Sequence, residues 1–568
     1  MTEVEKIGNN KPLIGALSLG YSLTALFFAY FYFFPTLITP LFSDTLIVSG
    51  ILLWLSCLIY ASVKANSSRE VVLVLLGVIL VSILARSIPH LRLAYPPFGD
   101  PYFYAISALN IIDYGTLQPM LAGWYSGIIV HLHWPIMHLV AAIAVKLSGI
   151  DSMWFFRFQE PLLSGLFVLA VFALAKEATK NNTISLLSAL LAALSDVVIF
   201  YQAEYHPQGF ALIFFVLFLY LYLKSRTTGR LRYHILALVC LVVFLASHHF
   251  SSIFVGLLAI GFIVFNHLIA ILPQRLGQIT QAAREIRADY NLWLIVAVAG
   301  LAYHFWIYEG VVRGFLERYA ATTLEPSAAL LTTGASVPML TTLLNSAKWG
   351  ILLLATFSII RVIRPPRPHQ FRLLVMLGCI LFAGFVGTFI VWGPVDRIIA
   401  FYVPLVSVFA AMTVHRLLTL NRFSLRRAQV IKVTTILIVS LLLMAGFFNG
   451  INIPAFYFQS SQPSSSYRYS NQVPKMEVYK LAGEWTGMYI PGIFYVGSDP
   501  EIVAFLLFFD KRSLSHIISP PRYPTTWVDY VMFASSVPRR TAEPKKTEYD
   551  RDLNMIYDNG EIKIYKVP

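Results

Sequence analysis

A stretch of apolar residues long enough to cross a bilayer leaves its backbone one local way to satisfy its own N–H and C=O groups, the α-helix. This chain repeats such stretches along most of its length. About thirteen fall near residues 12–35, 45–63, 71–89, 157–175, 184–202, 208–223, 233–248, 250–271, 291–308, 347–362, 373–392, 397–414 and 433–449, close to the roughly 20 residues that a 30 Å hydrocarbon core requires. Composition agrees: 57% of the 568 residues are hydrophobic and 13% charged, against about 25% charged in an ordinary soluble domain. The expected fold is a polytopic α-helical membrane protein of about 13 transmembrane helices. Its first stretch has no small-residue cleavage site after it and reads as a retained anchor. Cys57, Cys240 and Cys379 all lie inside apolar stretches, so neither a disulfide framework nor a zinc site is implied.

The formal charge of +14 follows the membrane and is no nucleic-acid footprint. With the N-terminus cytoplasmic, 22 Lys and Arg fall on cytosolic connections and 8 on outer ones before residue 450, the bias that insertion requires. The residues 134–149, after Pro135, are short for a span and read as a juxtamembrane or re-entrant helix on the outer side. The sequons at Asn66 and Asn181 then face the cytosol and carry no glycan. An odd number of spans sends the tail outside. Residues 1–450 form the transmembrane domain, with outer loops over 90–135 and 309–346, and 451–568 form a small extracytoplasmic α/β domain. Within the tail, GIFYVG and WVDYVMFASS read as strands and the segment after Gly497 as a helix. NMIYDNGEIKIYKV reads as a hairpin turning at Asp558-Asn559-Gly560.

Ionisable residues inside apolar sequence carry the functional signal, because a charge there costs a few kcal/mol or more. Asp100 opens DPYFYAISALN, with Asp113 farther along the same loop. Proline at a first helical position makes Asp100 a helix cap, and the same carboxylate suits a general base or metal ligand. In YQAEYHPQG, Glu204 and His206 stand two apart beside Pro207. They are either hydrated interfacial residues or a pair converging on a metal or phosphate. His248 and His249, in SHHFSS, are either hydrogen-bonded interface residues or a phosphate contact or acid, since imidazole titrates near neutrality. Arg397, beside Asp396 in GPVDRIIAFY, either snorkels or offers its fork of donors to a phosphate oxygen. Glu325 lies in the long loop 309–346, which has the length of a lid.

Taken in order, FGDPYFYA, Glu204-x-His206, Thr322-Thr323-Leu324-Glu325 and Arg397 resemble the membrane glycosyltransferases of the GT-C fold. In layout they are similar to the catalytic subunits of oligosaccharyltransferases. The resemblance implies that Asp100 is the catalytic carboxylate of the first outer loop and that Arg397 meets a lipid-linked phosphate, with His248, His249 and Asp113 binding substrate. It also implies that Glu204, His206 and Glu325 hold a divalent cation, Mg2+ or Mn2+. Three features depart from the oligosaccharyltransferase pattern: its Asp-x-Asp is replaced by Glu204-x-His206, its WWDYG motif is absent, the tail offering only Glu484-Trp485-Thr486-Gly487, and the first outer loop follows two extra spans rather than one. The expected activity is therefore sugar transfer from a polyprenyl- or dolichyl-phosphate carrier, on the extracytoplasmic face, to a glycan, lipid or protein acceptor. The alternatives are an oligosaccharyltransferase-like protein glycosylation enzyme and a lipid-linked-glycan transporter or flippase. A transporter of the repeated kind predicts two related halves and mid-membrane charges; this sequence shows no halves and gathers its charges toward one face.

Overall fold

The structure, a computed structural model, describes residues 11–33, 42–92, 100–115, 134–271, 296, 298, 300–302, 347–362, 373–383, 395–420 and 425–450, and five strand segments between 494 and 566. Its helices are α1 (Lys11–Phe33), α2 (Phe42–Lys64), α3 (Ser68–Arg92), α4 (Asp100–Tyr114), α5 (Ile136–Ser148), α6 (Ser152–Thr179), α7 (Asn182–Ala193), α8 (Asp196–Gln202), α9 (Pro207–Thr228), α10 (Leu231–Leu245) and α11 (His249–Ile271). After these come α12 (Ala347–Val362), α13 (Leu373–Ala383), α14 (Val395–Leu418) and α15 (Leu425–Gly450). The expected span 291–308, the loop 309–346 with Glu325 and the tail helix after Gly497 lie wholly or mostly outside the described residues.

Among the described residues, five helical stretches are long and apolar enough to cross a membrane: Ser68–Ile88, Ser152–Thr179, Pro207–Thr228, Ile399–Leu418 and Arg426–Phe448. The bent pair α7 and α8 makes a sixth. The other apolar helices among the described residues, such as Leu231–Leu245 and Trp349–Val362, are shorter. Helices that pack also turn large apolar side chains outward. On α12, Trp349, Leu353, Phe357 and Ile360 are each about 60% exposed and recur at intervals of three and four residues, one face of a helix. Val430, Val433, Leu437, Ile438 and Leu441 do the same on α15. A soluble protein hides such stripes; in a bilayer they meet lipid.

The sequence reads 184–202 as one span, but the chain breaks it at Leu194-Ser195, and the halves meet at 64°. LLSALLAALSDVVIFYQ holds no proline or glycine, so nothing local announces the break. It is fixed from outside, where Gly446 of α15 approaches so closely that a Cβ there would run into the Leu194 carbonyl oxygen. Asp196 then starts the second half, its Oδ1 accepting from the Val197 N–H at 2.9 Å.

The contacts divide the chain into two compact units. The first holds Met1–Arg92, Gln159–Ala203 and Pro207–Tyr457; the second holds Leu93–Phe158, Glu204–His206 and Phe458–Pro568. In the first, the α7–α14, α12–α14 and α9–α10 pairs build an apolar core. In the second, α4 packs on α5, and the tail forms a five-stranded sheet of β1 (Phe494–Gly497), β2 (Ile517–Ile518), β3 (Tyr530–Ala534), β4 (Asn554–Asp558) and β5 (Ile562–Lys566). Its order is β2-β1-β3-β5-β4. β1 runs parallel to β2 and β3, while β5 pairs antiparallel with β3 and β4. All the strands expected from the tail sequence are present, and β4–β5 is the hairpin expected around Asp558-Asn559-Gly560.

Candidate active site

In the second unit, the turn Glu204–His206 follows the bent span. Tyr205 is fully buried, and Glu204 and His206 keep only 4% and 6% of their surface. The His206 ring meets the edge of Tyr104 at 5.4 Å between centroids, with the planes at 80°. Tyr104 also faces His138 of α5 at 6.3 Å, and His138 meets Tyr205 at 6.4 Å. Phe156 closes against Tyr205 at 4.8 Å. Tyr104 lies one helical turn, about 6 Å of rise, beyond Asp100. Asp100 and Pro101 are the first two residues of α4, as the proline pattern predicts. The aromatic cluster therefore fastens the Glu204–His206 turn to the helix that Asp100 heads; Asp113 lies in the last turn of the same helix.

His138 is fully buried. Desolvation pushes its imidazole down to about 4, against a smaller upward pull from a hydrogen bond with the Tyr104 backbone, so the ring is neutral at pH 7. Sequence reasoning passed over it because a lone histidine in a short apolar helix carries no motif.

Phe254 of α11 stacks on Phe401 of α14 in the first unit, with centroids 4.5 Å apart and planes at 22°. Phe215 of α9 and Phe244 of α10 pack edge-on or tilted against the same pair. Phe254 sits five residues after the start of α11 and Phe401 six after the start of α14. His248, 1% exposed, immediately precedes α11; His249 is its first residue, and Arg397 lies in the first turn of α14. The His248 carbonyl accepts from the Ser251 N–H at 3.0 Å. Each of these helix starts carries a positive dipole end, which favours an anion.

For a divalent cation, Glu204 and His206 supply a buried carboxylate and a buried imidazole two residues apart. No third His, Cys, Asp or Glu joins them within the described residues, and Glu325 lies outside those residues.

A polar cluster that the sequence counted only as loop charges occupies the first unit. Arg86 of α3 and Glu160 of α6 are both fully buried. Glu160 precedes Pro161, inside α6. Arg86 donates through Nε to Gln202 Oε1 at 3.1 Å, and through Nη1 to Ser82 O, Ser82 Oγ and the Ala193 carbonyl at 3.1, 2.9 and 3.0 Å. Gly209 faces this cluster, and a Cβ there would lie 3.2 Å from Glu160 Oε2.

No curated protein sequence matches this chain. Among solved structures the chain is similar to the one titled "Crystal Structure of ArnT from Cupriavidus metallidurans bound to Undecaprenyl phosphate", with 10% identity, 88% of this chain and 98% of that chain covered, and a TM-score of 0.48. Residues 133–282 match the family model described as "Dolichyl-phosphate-mannose-protein mannosyltransferase", a stretch that carries His138, Glu160, Gln202, Glu204, His206, His248 and His249.

Proposed function

We propose that this integral membrane protein is a glycosyltransferase moving a hexose from a polyprenyl- or dolichyl-phosphate carrier to an acceptor hydroxyl on the extracytoplasmic face. The observation that carries this reading is the Phe254–Phe401 stack, which joins, within two turns of their starts, the helix that begins at His249 and the helix whose first turn holds Arg397. The lipid-phosphate donor named by the family that residues 133–282 match supports it, as does the turn of Glu204 and His206 fastened to the Asp100 helix through Tyr104.

In the proposed reaction the acceptor oxygen bonds to the anomeric carbon as its proton passes to the Asp100 carboxylate. The bond from that carbon to the carrier's phosphate oxygen breaks, and its electron pair leaves with the phosphate. Configuration at the anomeric carbon inverts. Arg397, with His248 or His249, stabilises the charge gathering on the departing phosphate, and Asp113 orients substrate. Glu204, His206 and Glu325 would hold a divalent cation, which would offset phosphate charge.

The test is sugar transfer from a radiolabelled polyprenyl-phosphate hexose in membranes, wild type against Asp100→Asn at matched expression. The expected loss is at least about 100-fold, the scale of general base catalysis; retention of most activity removes Asp100 from this role. In the same assay EDTA abolishes transfer and Mg2+ or Mn2+ restores it.

A further inference from the structure

We infer that Arg86 is a positioning residue that clamps the broken span α7–α8 and, through Gln202, sets where the chain enters the Glu204–His206 turn. This rests on the glycosyltransferase reading above for its kinetic consequence. The clamp itself follows from the hydrogen bonds alone.

The break at Leu194-Ser195 strips the Ala193 carbonyl of the amide it would meet in a continuous helix, and a buried orphan of this kind is costly. Arg86 Nη1 supplies the missing donor at 3.0 Å. From the same guanidinium, Nε reaches Gln202 Oε1, the last residue of α8. One planar, permanently charged group therefore holds the end of the first half-helix and the end of the second, and its rigid fork fixes their relative angle in a way a lysine ammonium cannot. His90, one helical turn farther along α3, is bonded to the carbonyl of Ala203, the next residue along. Glu204 follows directly. The clamp is anchored from behind by Ser82, whose hydroxyl also donates to Ser164 Oγ of α6 at 3.1 Å.

The choice of residues is expensive unless it is used. Arg86 and Glu160 are both fully buried yet form no direct ion pair. Among the described residues Arg86 Nη2, Gln202 Nε2 and Glu160 Oε2 make no hydrogen bond. If these groups served stability alone, packed apolar residues of similar volume would do as well or better. Held polar, they fix one geometry at the bend.

Arg86→Met removes the whole fork, including the cap on Ala193, and so tests folding together with position. Gln202→Leu leaves that cap in place and cuts only the link to the end of α8. Gln202→Glu keeps an acceptor there. In reconstituted vesicles with a polyprenyl-phosphate hexose donor, Gln202→Leu should lower kcat at least tenfold with donor KM within twofold of wild type. Gln202→Glu should stay within threefold in both. Hydrogen exchange over residues 196–206 should quicken at least tenfold in Gln202→Leu and remain slow in α9. Wild-type kcat in Gln202→Leu, or equal loss in Gln202→Glu, overturns the positioning role; unchanged exchange overturns the clamp. A wild type that transfers no sugar from any such donor refutes the activity reading instead, and the exchange measurement then decides the clamp by itself.

Discussion

His138 is held where water cannot reach it, and its imidazole is pushed down to about 4, against about 6.5 in an unfolded chain. Between those values the unfolded state binds a proton that the folded state refuses. Stability is therefore full above about pH 6.5 and drains away as pH falls toward 4, by roughly 3 kcal/mol across the window. A thermal midpoint followed from pH 7 to 4.5 in detergent should fall steeply, and His138→Phe should flatten that fall while keeping a ring beside Tyr104 and Tyr205. At this scale the sequence was legible where polarity interrupts an apolar context, as with Glu204 and His206. It was illegible where a charge sits near a span end, as with Arg86 and Glu160, because only the folded neighbourhood shows that both are fully buried.

At the scale of elements, the positions of most helices could be read from the sequence, because a bilayer leaves apolar stretches no other fold. Residues 347–362 were placed to the residue, and 45–63 falls within α2. The bend between α7 and α8 could not be read. Its cause is a neighbour, Gly446, whose missing side chain lets α15 press on the Leu194 carbonyl. Gly446→Ala should force that contact apart and cost about 1–3 kcal/mol, seen as a lower thermal midpoint; Gly15→Ala, whose Cβ would meet nothing within 4 Å, should leave the midpoint unchanged or slightly raised. Near their ends, α6 and α9 are tied by Glu177, which accepts from Lys224 Nζ at 2.8 Å and Thr227 Oγ1 at 2.7 Å and also pairs with Lys180. Their convergence on one carboxylate is a tertiary fact that the sequence does not announce.

For the molecule as a whole, a carrier phosphate that binds the native protein and not the unfolded chain must raise its apparent stability, by about 2.7 kcal/mol at a hundredfold excess over Kd. Polyprenyl phosphate without sugar should therefore raise the thermal midpoint of wild type, while Arg397→Ala should shift little at the same concentration. An equal shift in both proteins would take Arg397 out of phosphate recognition. The sheet of the tail has a further consequence. β5 follows the other described strands in sequence, yet it lies between β3 and β4, so the ladder stays in two pieces until residues 562–566 arrive. That sheet therefore closes only after its other described strands have been made, and a stop at codon 561 would forfeit the zipper that joins β3 to β4.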